Sequence, residues 1–208
     1  MYRASDMSSG RYITLEGAEG CGKSTHAARL ATALDAVLTR ETGGTAVGQR
    51  IRTILHDTDL TNLSHRAEAL LAAADRAQHI DEVVAPALLA GRHVVSDRSV
   101  YSTLAYQGYG RGLPLAEVRR INKWAVGTHW PDLVLLLDAD PAVLERRMRG
   151  RQLDRFEQEG NGFHQRVRDG FQHMAETEPE RWVVIDGSKS MDEVARSIRR
   201  AVTERLGV

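Results

Sequence analysis

The sequence predicts an α/β domain: a five-stranded parallel sheet with helices on both faces. Three observations predict it. Five short apolar runs, Tyr12–Glu16, Val37–Glu41, His93–Asp97, Leu133–Asp138 and Trp182–Asp186, have the length and hydrophobicity of strands buried on both faces. Segments of helical period separate them, the alternation from which parallel sheets are built. Between the first run and the first helix lies Gly17-Ala18-Glu19-Gly20-Cys21-Gly22-Lys23-Ser24, which fits G-x-x-x-x-G-K-[ST] in its strand–loop–helix setting and specifies the P-loop NTPase type of this fold.

The first element explains the rest. Glycines in such a loop let several backbone N–H groups converge on an anion, and the helix behind adds the positive end of its dipole. Gly17, Ala18, Glu19, Gly20, Cys21, Gly22, Lys23, Ser24 and Thr25 are therefore the expected nucleoside triphosphate site. Lys23 supplies a point charge for the β- and γ-phosphates, and Ser24 a hydroxyl for Mg²⁺. Cys21, inside this loop, is either a small filler equivalent to alanine or a thiol activated by its cationic surroundings.

Helices are expected over Lys23–Leu34, Gly48–Leu55, Ser64–Ala90, Pro114–Val126, Pro141–Arg149, Phe163–Glu178 and Met191–Leu206. The Ser64–Ala90 segment carries an apolar stripe, Ala67, Leu70, Leu71, Ala74, Ala77, Val84 and Leu88, and Pro86 is expected where its last turn bends or ends. The strands close on acids, at the sheet edge where ligands of α/β proteins bind. Asp97, at the tip of the third strand, is the expected metal partner of Ser24, and Arg98 beside it a clamp for phosphate oxygens. Arg40-Glu41-Thr42-Gly43-Gly44-Thr45 reads as a tight turn, with Arg40 a candidate for a second phosphate.

Ser102-Thr103-Leu104-Ala105-Tyr106-Gln107-Gly108 through Gly112 sets hydroxyls and an amide one turn apart. These groups either read the edge of a base or belong to a plain helix end and loop. Arg146, Arg147, Arg149, Arg151 and Arg155 crowd one short stretch before Gly160 and Gly162. In a phosphate-binding chain this reads as a closing lid, about 147–162, whose arginine neutralises the transferring phosphoryl group.

The bulk properties limit the partners. Lys plus Arg and Asp plus Glu both number 28, so no net field draws the chain to nucleic acid or a membrane. A chain of 208 residues suits one domain, 11–208. Met1 to Gly10 lack the apolar core of a signal peptide and read as a disordered leader, with Met7 an alternative start. A single cysteine suits a reducing cytoplasm.

Taken together, these motifs resemble the thymidylate kinase family from Arg11 to about Gly187. The marks are Leu15-Glu16-Gly17-Ala18-Glu19-Gly20, Arg40 through Thr45, Asp75-Arg76-Ala77-Gln78-His79, Asp97-Arg98-Ser99, Ser102 through Gly112, and Leu153-Asp154-Arg155-Phe156-Glu157. The resemblance implies transfer of a phosphoryl group from ATP to dTMP with Mg²⁺, in a homodimer. It implies that Glu19 approaches the nucleotide sugar, that Arg40 and Arg98 bind the dTMP phosphate, and that Arg76 and Gln107 address the thymine edge. Ser102, Thr103 and Tyr106 fall near the base. The loop resembles the bacterial variant whose catalytic arginine comes from the lid. Lys23, Arg98 and Arg149 or Arg151 are then the catalytic set, with Arg155 a structural lid member.

Three positions depart from the family pattern: Ala72 where an aromatic usually stacks on thymine, Thr42 in place of proline, and Ser99 in place of an aromatic or histidine. Asp97-Arg98-Ser99-Val100-Tyr101-Ser102 also resembles the deoxynucleoside kinases, which leaves a neutral nucleoside as the alternative acceptor. Other nucleoside monophosphate kinases share the loop but match Asp75-Arg76 and Thr103–Gln107 poorly. A GTPase-type switch needs Asn-Lys-x-Asp, and Asn122-Lys123-Trp124-Ala125 lacks the acid.

Overall fold

The computed structural model describes residues 10–208. The expected leader therefore lies outside the described residues except for Gly10, which is buried. In chain order the elements are β1 (Tyr12–Glu16), α1 (Lys23–Leu34), β2 (Val37–Arg40), α2 (Ala46–His56), α3 (His65–His79), α4 (Ala85–Leu89), β3 (Val94–Asp97) and α5 (Val100–Thr103). There follow α6 (Leu115–Val126), β4 (Leu133–Asp138), α7 (Pro141–Met148), α8 (Asn161–Thr177), β5 (Trp182–Asp186) and α9 (Met191–Leu206). Two π-helical stretches, Ile80–Val84 and Leu104–Gly110, continue α3 and α5.

The five strands pair in parallel in the order β2-β3-β1-β4-β5. Strand alternation divides β4 between two cores, as a sheet covered on both faces requires. Leu133, Leu135 and Leu137 pack with α1 and α9 through Ala27, Leu30, Ile198 and Val202. Val134 and Leu136 face α5, α6 and α8 through Val100, Val118, Phe171 and Met174. Register sets Arg40 beside Asp97 and Asp97 beside Leu15, so the tips of β2, β3 and β1 form one row.

The expected helix 64–90 is not one α-helix. Proline lacks an N–H and crowds the carbonyl four residues earlier. Ahead of Pro86 the helix widens into the π stretch, where the Ala85 N–H reaches back to Ile80 O. The predicted stripe also differs from the buried face. That face of α3 is Glu68, Ala69, Ala72, Ala73, Asp75, Arg76 and His79, whereas Leu70 is 56% exposed. Apolar periodicity misleads here because α3 turns charged groups inward, each with a buried partner. The Val100–Gly110 helix has no counterpart among the expected helices. Its glycines and hydroxyls mimic a loop, yet Val100, Tyr101, Leu104 and Ala105 are fully buried.

Candidate active site

The P-loop needs its glycines for their backbone geometry. Gly17, Gly20 and Gly22 have φ of 136°, 78° and 95°, left-handed or near-mirror conformations that L side chains rarely adopt. Gly22 caps α1 and sends its N-terminus toward the loop. Lys23 is buried and donates from Nζ to Ala18 O at 2.7 Å. Cys21 is 2% exposed and packs in the apolar core with Ala27 and Leu135, the environment of a filler.

A cleft of about 270 Å³ opens at the strand tips. Glu19, Gly20, Lys23 and Ser24 line it from the P-loop and the start of α1; Ala72 and Arg76 line it from α3, and Thr103, Tyr106 and Gln107 from the helix after β3. Arg40, Arg52, Asp97, Arg98 and Ser102 also line it, as do Arg151 and Phe156 from the lid. Among the predicted residues Arg149 is not part of this lining; it is exposed and pairs with Glu145 at 3.7 Å. Arg151 instead pairs with Glu157 at 3.7 Å, and Arg155 donates from Nε to Leu55 O at 2.9 Å.

The donor set fits Mg²⁺. Ser24 Oγ donates to Asp97 Oδ2 at 2.5 Å, and Asp97 Oδ1 is buried with no hydrogen-bond partner. Mg²⁺ characteristically takes one or two protein oxygens and fills the rest of its shell with water and phosphate.

Arg98 holds φ at 74°, a left-handed conformation that costs a non-glycine residue about 1–3 kcal/mol. Its Nη1 donates to Gly17 O at 3.2 Å and Ser102 Oγ at 3.0 Å. Its Nη2 donates to Glu19 Oε1 at 2.5 Å and Tyr106 OH at 3.2 Å. Burial raises the Glu19 pKa, but Arg98, Lys23 and the Tyr106 phenol together hold it below the ordinary value. Glu16, beneath them, accepts from Ser99 Oγ at 2.7 Å and Ser102 Oγ at 2.6 Å. Burial pushes its pKa up to about 7 against the opposing pull of Arg98.

Arg76 is 2% exposed and mostly engaged. Nε donates to Glu41 at 2.8 Å, Nη1 to Asn122, and Nη2 to Ser99 O at 3.1 Å and Thr103 Oγ1 at 3.0 Å. One Nη1 hydrogen is left over. Glu41 also pairs with His79 Nδ1 at 2.9 Å; burial raises its pKa, but Arg76 and His79 hold it below the ordinary value. Among the strand-tip acids only Asp97 meets the P-loop directly. Glu41 holds Arg76, Glu16 holds the serines, and Asp138 binds Arg168 at 2.9 Å.

Sequence reasoning missed Arg52. It lies on α2, donates to Thr42 O at 3.1 Å and lines the cleft. Burial first, then Arg40 and Arg98, lower its pKa, which marks three cations gathered at one place. Arg50-Ile51-Arg52 looks like an ordinary solvated helix face in sequence. Arg147, which in sequence is only one of an arginine run, donates to Gly187 O at 3.0 Å and Gly20 O at 3.4 Å, bridging the P-loop and the loop after β5.

Comparison with known proteins agrees with this geometry. The family model described as thymidylate kinase matches residues 15–198. A thymidylate kinase of Synechococcus sp. is 50% identical over 201 residues, covering 94% of this chain and 96% of the relative. One from Halalkalibacterium halodurans is 42% identical over 210 residues, 97% and 100% of the two chains. The crystal structure of thymidylate kinase from Ehrlichia chaffeensis superimposes with a TM-score of 0.77 at 29% identity, over 93% of this chain and 98% of that one. With the P-loop, the Ser24–Asp97 pair and an arginine-lined cleft at one sheet edge, this chain belongs to the thymidylate kinase family.

Proposed function

We propose that the protein phosphorylates dTMP to dTDP with ATP and Mg²⁺. The observation that carries this is the meeting of three chemistries in one cleft: the P-loop with Ser24–Asp97, the guanidinium groups of Arg40, Arg52 and Arg98, and the Gln107 amide.

Phosphoryl transfer asks a protein chiefly to hold two anions in line and to screen their charge. Lys23 and the backbone of Gly17 to Ser24 bind the ATP phosphates, and Thr25 extends that site along the first turn of α1. Ser24 and Asp97 would hold the metal ion, which when bound would neutralise phosphate charge. Arg98, Arg52 and Arg40 bind the acceptor phosphate. Among these, the Arg40 guanidinium lines the cleft with no side-chain hydrogen bond or ion pair among the described residues, so its charge is available. Glu19 turns between Arg98 and the sugar of the acceptor. Arg151 brings lid charge to the transferring group, and segment 147–162 closes to exclude water from the cleft. The base lies against Ala72, Arg76, Ser102, Thr103, Tyr106 and Gln107. Residues 11–208 act as one catalytic domain.

The gathering of Arg40, Arg52 and Arg98 in the cleft favours a monophosphate over a neutral nucleoside, the acceptor of the deoxynucleoside kinases. A guanine reader at Asn122 is disfavoured because Asn122 is buried and bonded to Arg76 and Val118 O.

We also propose a cytoplasmic homodimer. Val47 and Ile54 on α2, Leu70 on α3 and Trp124 on α6 are 47%, 40%, 56% and 90% exposed, on helices that pack together. A second copy would cover them. No helix among the described residues is long and apolar enough to cross a membrane. A coupled assay of ADP release across dTMP, dUMP, thymidine and the other monophosphates tests the acceptor; preference for any acceptor but dTMP overturns it.

A further inference from the structure

Glu68, on α3, is fully buried and takes no part in the phosphate machinery. Its Oε1 accepts from Gln107 Nε2 at 2.8 Å and from Arg111 Nε at 3.2 Å. Its Oε2 accepts from Arg111 Nη2 at 3.1 Å and lies 2.7 Å from Arg155 Nη2, an ion pair not aligned as a hydrogen bond. Burial raises its pKa, but Arg111, Gln107 and Arg155 hold it below the ordinary value, so the carboxylate stays charged. A charged carboxylate only accepts. Gln107 must therefore give its NH₂ to Glu68, and the planar amide then turns its carbonyl oxygen away. That bond is the only side-chain hydrogen bond Gln107 makes among the described residues, and Gln107 lines the cleft beside Ala72 and Thr103.

We propose that Glu68 is a specificity-determining positioning residue: by claiming the NH₂ of Gln107 it presents a carbonyl oxygen to the base. The site then admits a pyrimidine with an N–H donor at ring position N3 and rejects one whose N3 is a bare acceptor. The inference rests on the reading of this cleft as the dTMP site. Its chemistry is that of a site built around one hydrogen bond, which rejects a near-isostere by leaving a buried polar group unpaired.

The probe is 5-methyl-dCMP, which keeps the methyl group and shape of dTMP but inverts the donor and acceptor pattern of its edge. In Glu68→Gln the partner side chain can donate as well as accept, so the Gln107 amide is free to flip. Steady-state kinetics should show KM for dTMP rising about tenfold, kcat staying within about threefold, and the preference for dTMP over 5-methyl-dCMP falling at least about tenfold. Arg111→Met, which leaves the Glu68–Gln107 bond in place, should lower Tm and keep the preference. An unchanged preference in Glu68→Gln, or an equal loss in Arg111→Met, overturns the inference. If Glu68→Gln does not fold, nitrogen-15 NMR of the wild-type enzyme decides. The Gln107 NH₂ protons should barely shift on adding dTMP, and a large shift overturns the proposal. A wild-type enzyme that turns over no dTMP overturns the functional reading itself. Normal turnover with unchanged discrimination overturns this inference alone.

Discussion

Ser24 Oγ lies 2.5 Å from Asp97 Oδ2 across 73 residues of sequence, joining the first turn of α1 to the tip of β3. Both side chains are fixed by backbone: one by the P-loop, the other by the parallel pairing of β3 with β1 on one side and β2 on the other. Asp97→Asn should therefore lower kcat about 100-fold and shift the Mg²⁺ dependence of the rate to higher concentration, with KM for dTMP little changed. Rates measured across a Mg²⁺ titration check this; an unaltered Mg²⁺ requirement counts against the pair as metal ligands.

Arg151, not Arg149, lines the cleft. Arg151→Met should cost about 10³-fold in kcat, the lower end of what an arginine finger supplies, and Arg149→Met no more than about threefold. Single-turnover rates of the two variants separate the two readings left open by the arginine run, and the reverse order contradicts the geometry.

Arg52 completes the cationic group with Arg40 and Arg98. Arg52→Met should raise KM for dTMP about tenfold or more through loss of a charged hydrogen bond, while KM for ATP stays within about twofold. Equal effects on both substrates would place Arg52 outside the acceptor site.

Much of this was legible in the sequence, and the residues show why. The P-loop, Asp97 and the strand tips carry strong local signals: glycines at fixed spacing, and apolar runs ending on an acid. Arg52 and Glu68 carry none, because a charged residue on a helix looks solvated until the fold buries it. The π stretches at Ile80–Val84 and Leu104–Gly110 escaped for a different reason. A helix widened by Pro86, or rich in glycine and hydroxyls, breaks the period by which helices are recognised.

Glu16 makes stability depend on pH. Its folded pKa of about 7 lies above the ordinary glutamate value of 4.5, so the folded state binds the proton more tightly. Its contribution is fully present below about pH 4.5 and is lost as pH rises through about 7, a change of roughly 3 kcal/mol. Denaturant unfolding of wild type and Glu16→Gln at several pH values checks this. The difference in stability between the two should move against wild type from pH 4.5 to about 7 and then level off. A constant difference contradicts it.

Ala72, 6% exposed, lies in the core cluster that also holds Tyr106 and Phe156. A ring in its place restores the stacking surface that Ala72 omits, worth about 1–3 kcal/mol for an aromatic on a base. Titration calorimetry of Ala72→Phe should show dTMP bound at least about fivefold more tightly. Unchanged or weaker binding contradicts the view of Ala72 as the cause of a roomy base pocket.

In the proposed reaction one cleft holds two phosphate chains end to end and passes a single phosphoryl group between them. Phosphorus NMR of the enzyme with Mg²⁺, dTMP and ATP labelled with oxygen-18 in the γ-phosphoryl group tests it directly. The labelled group should appear as the β-phosphoryl of dTDP, with ADP formed in equal amount. Label released as inorganic phosphate, or delivered to thymidine while dTMP stays unreacted, would contradict it.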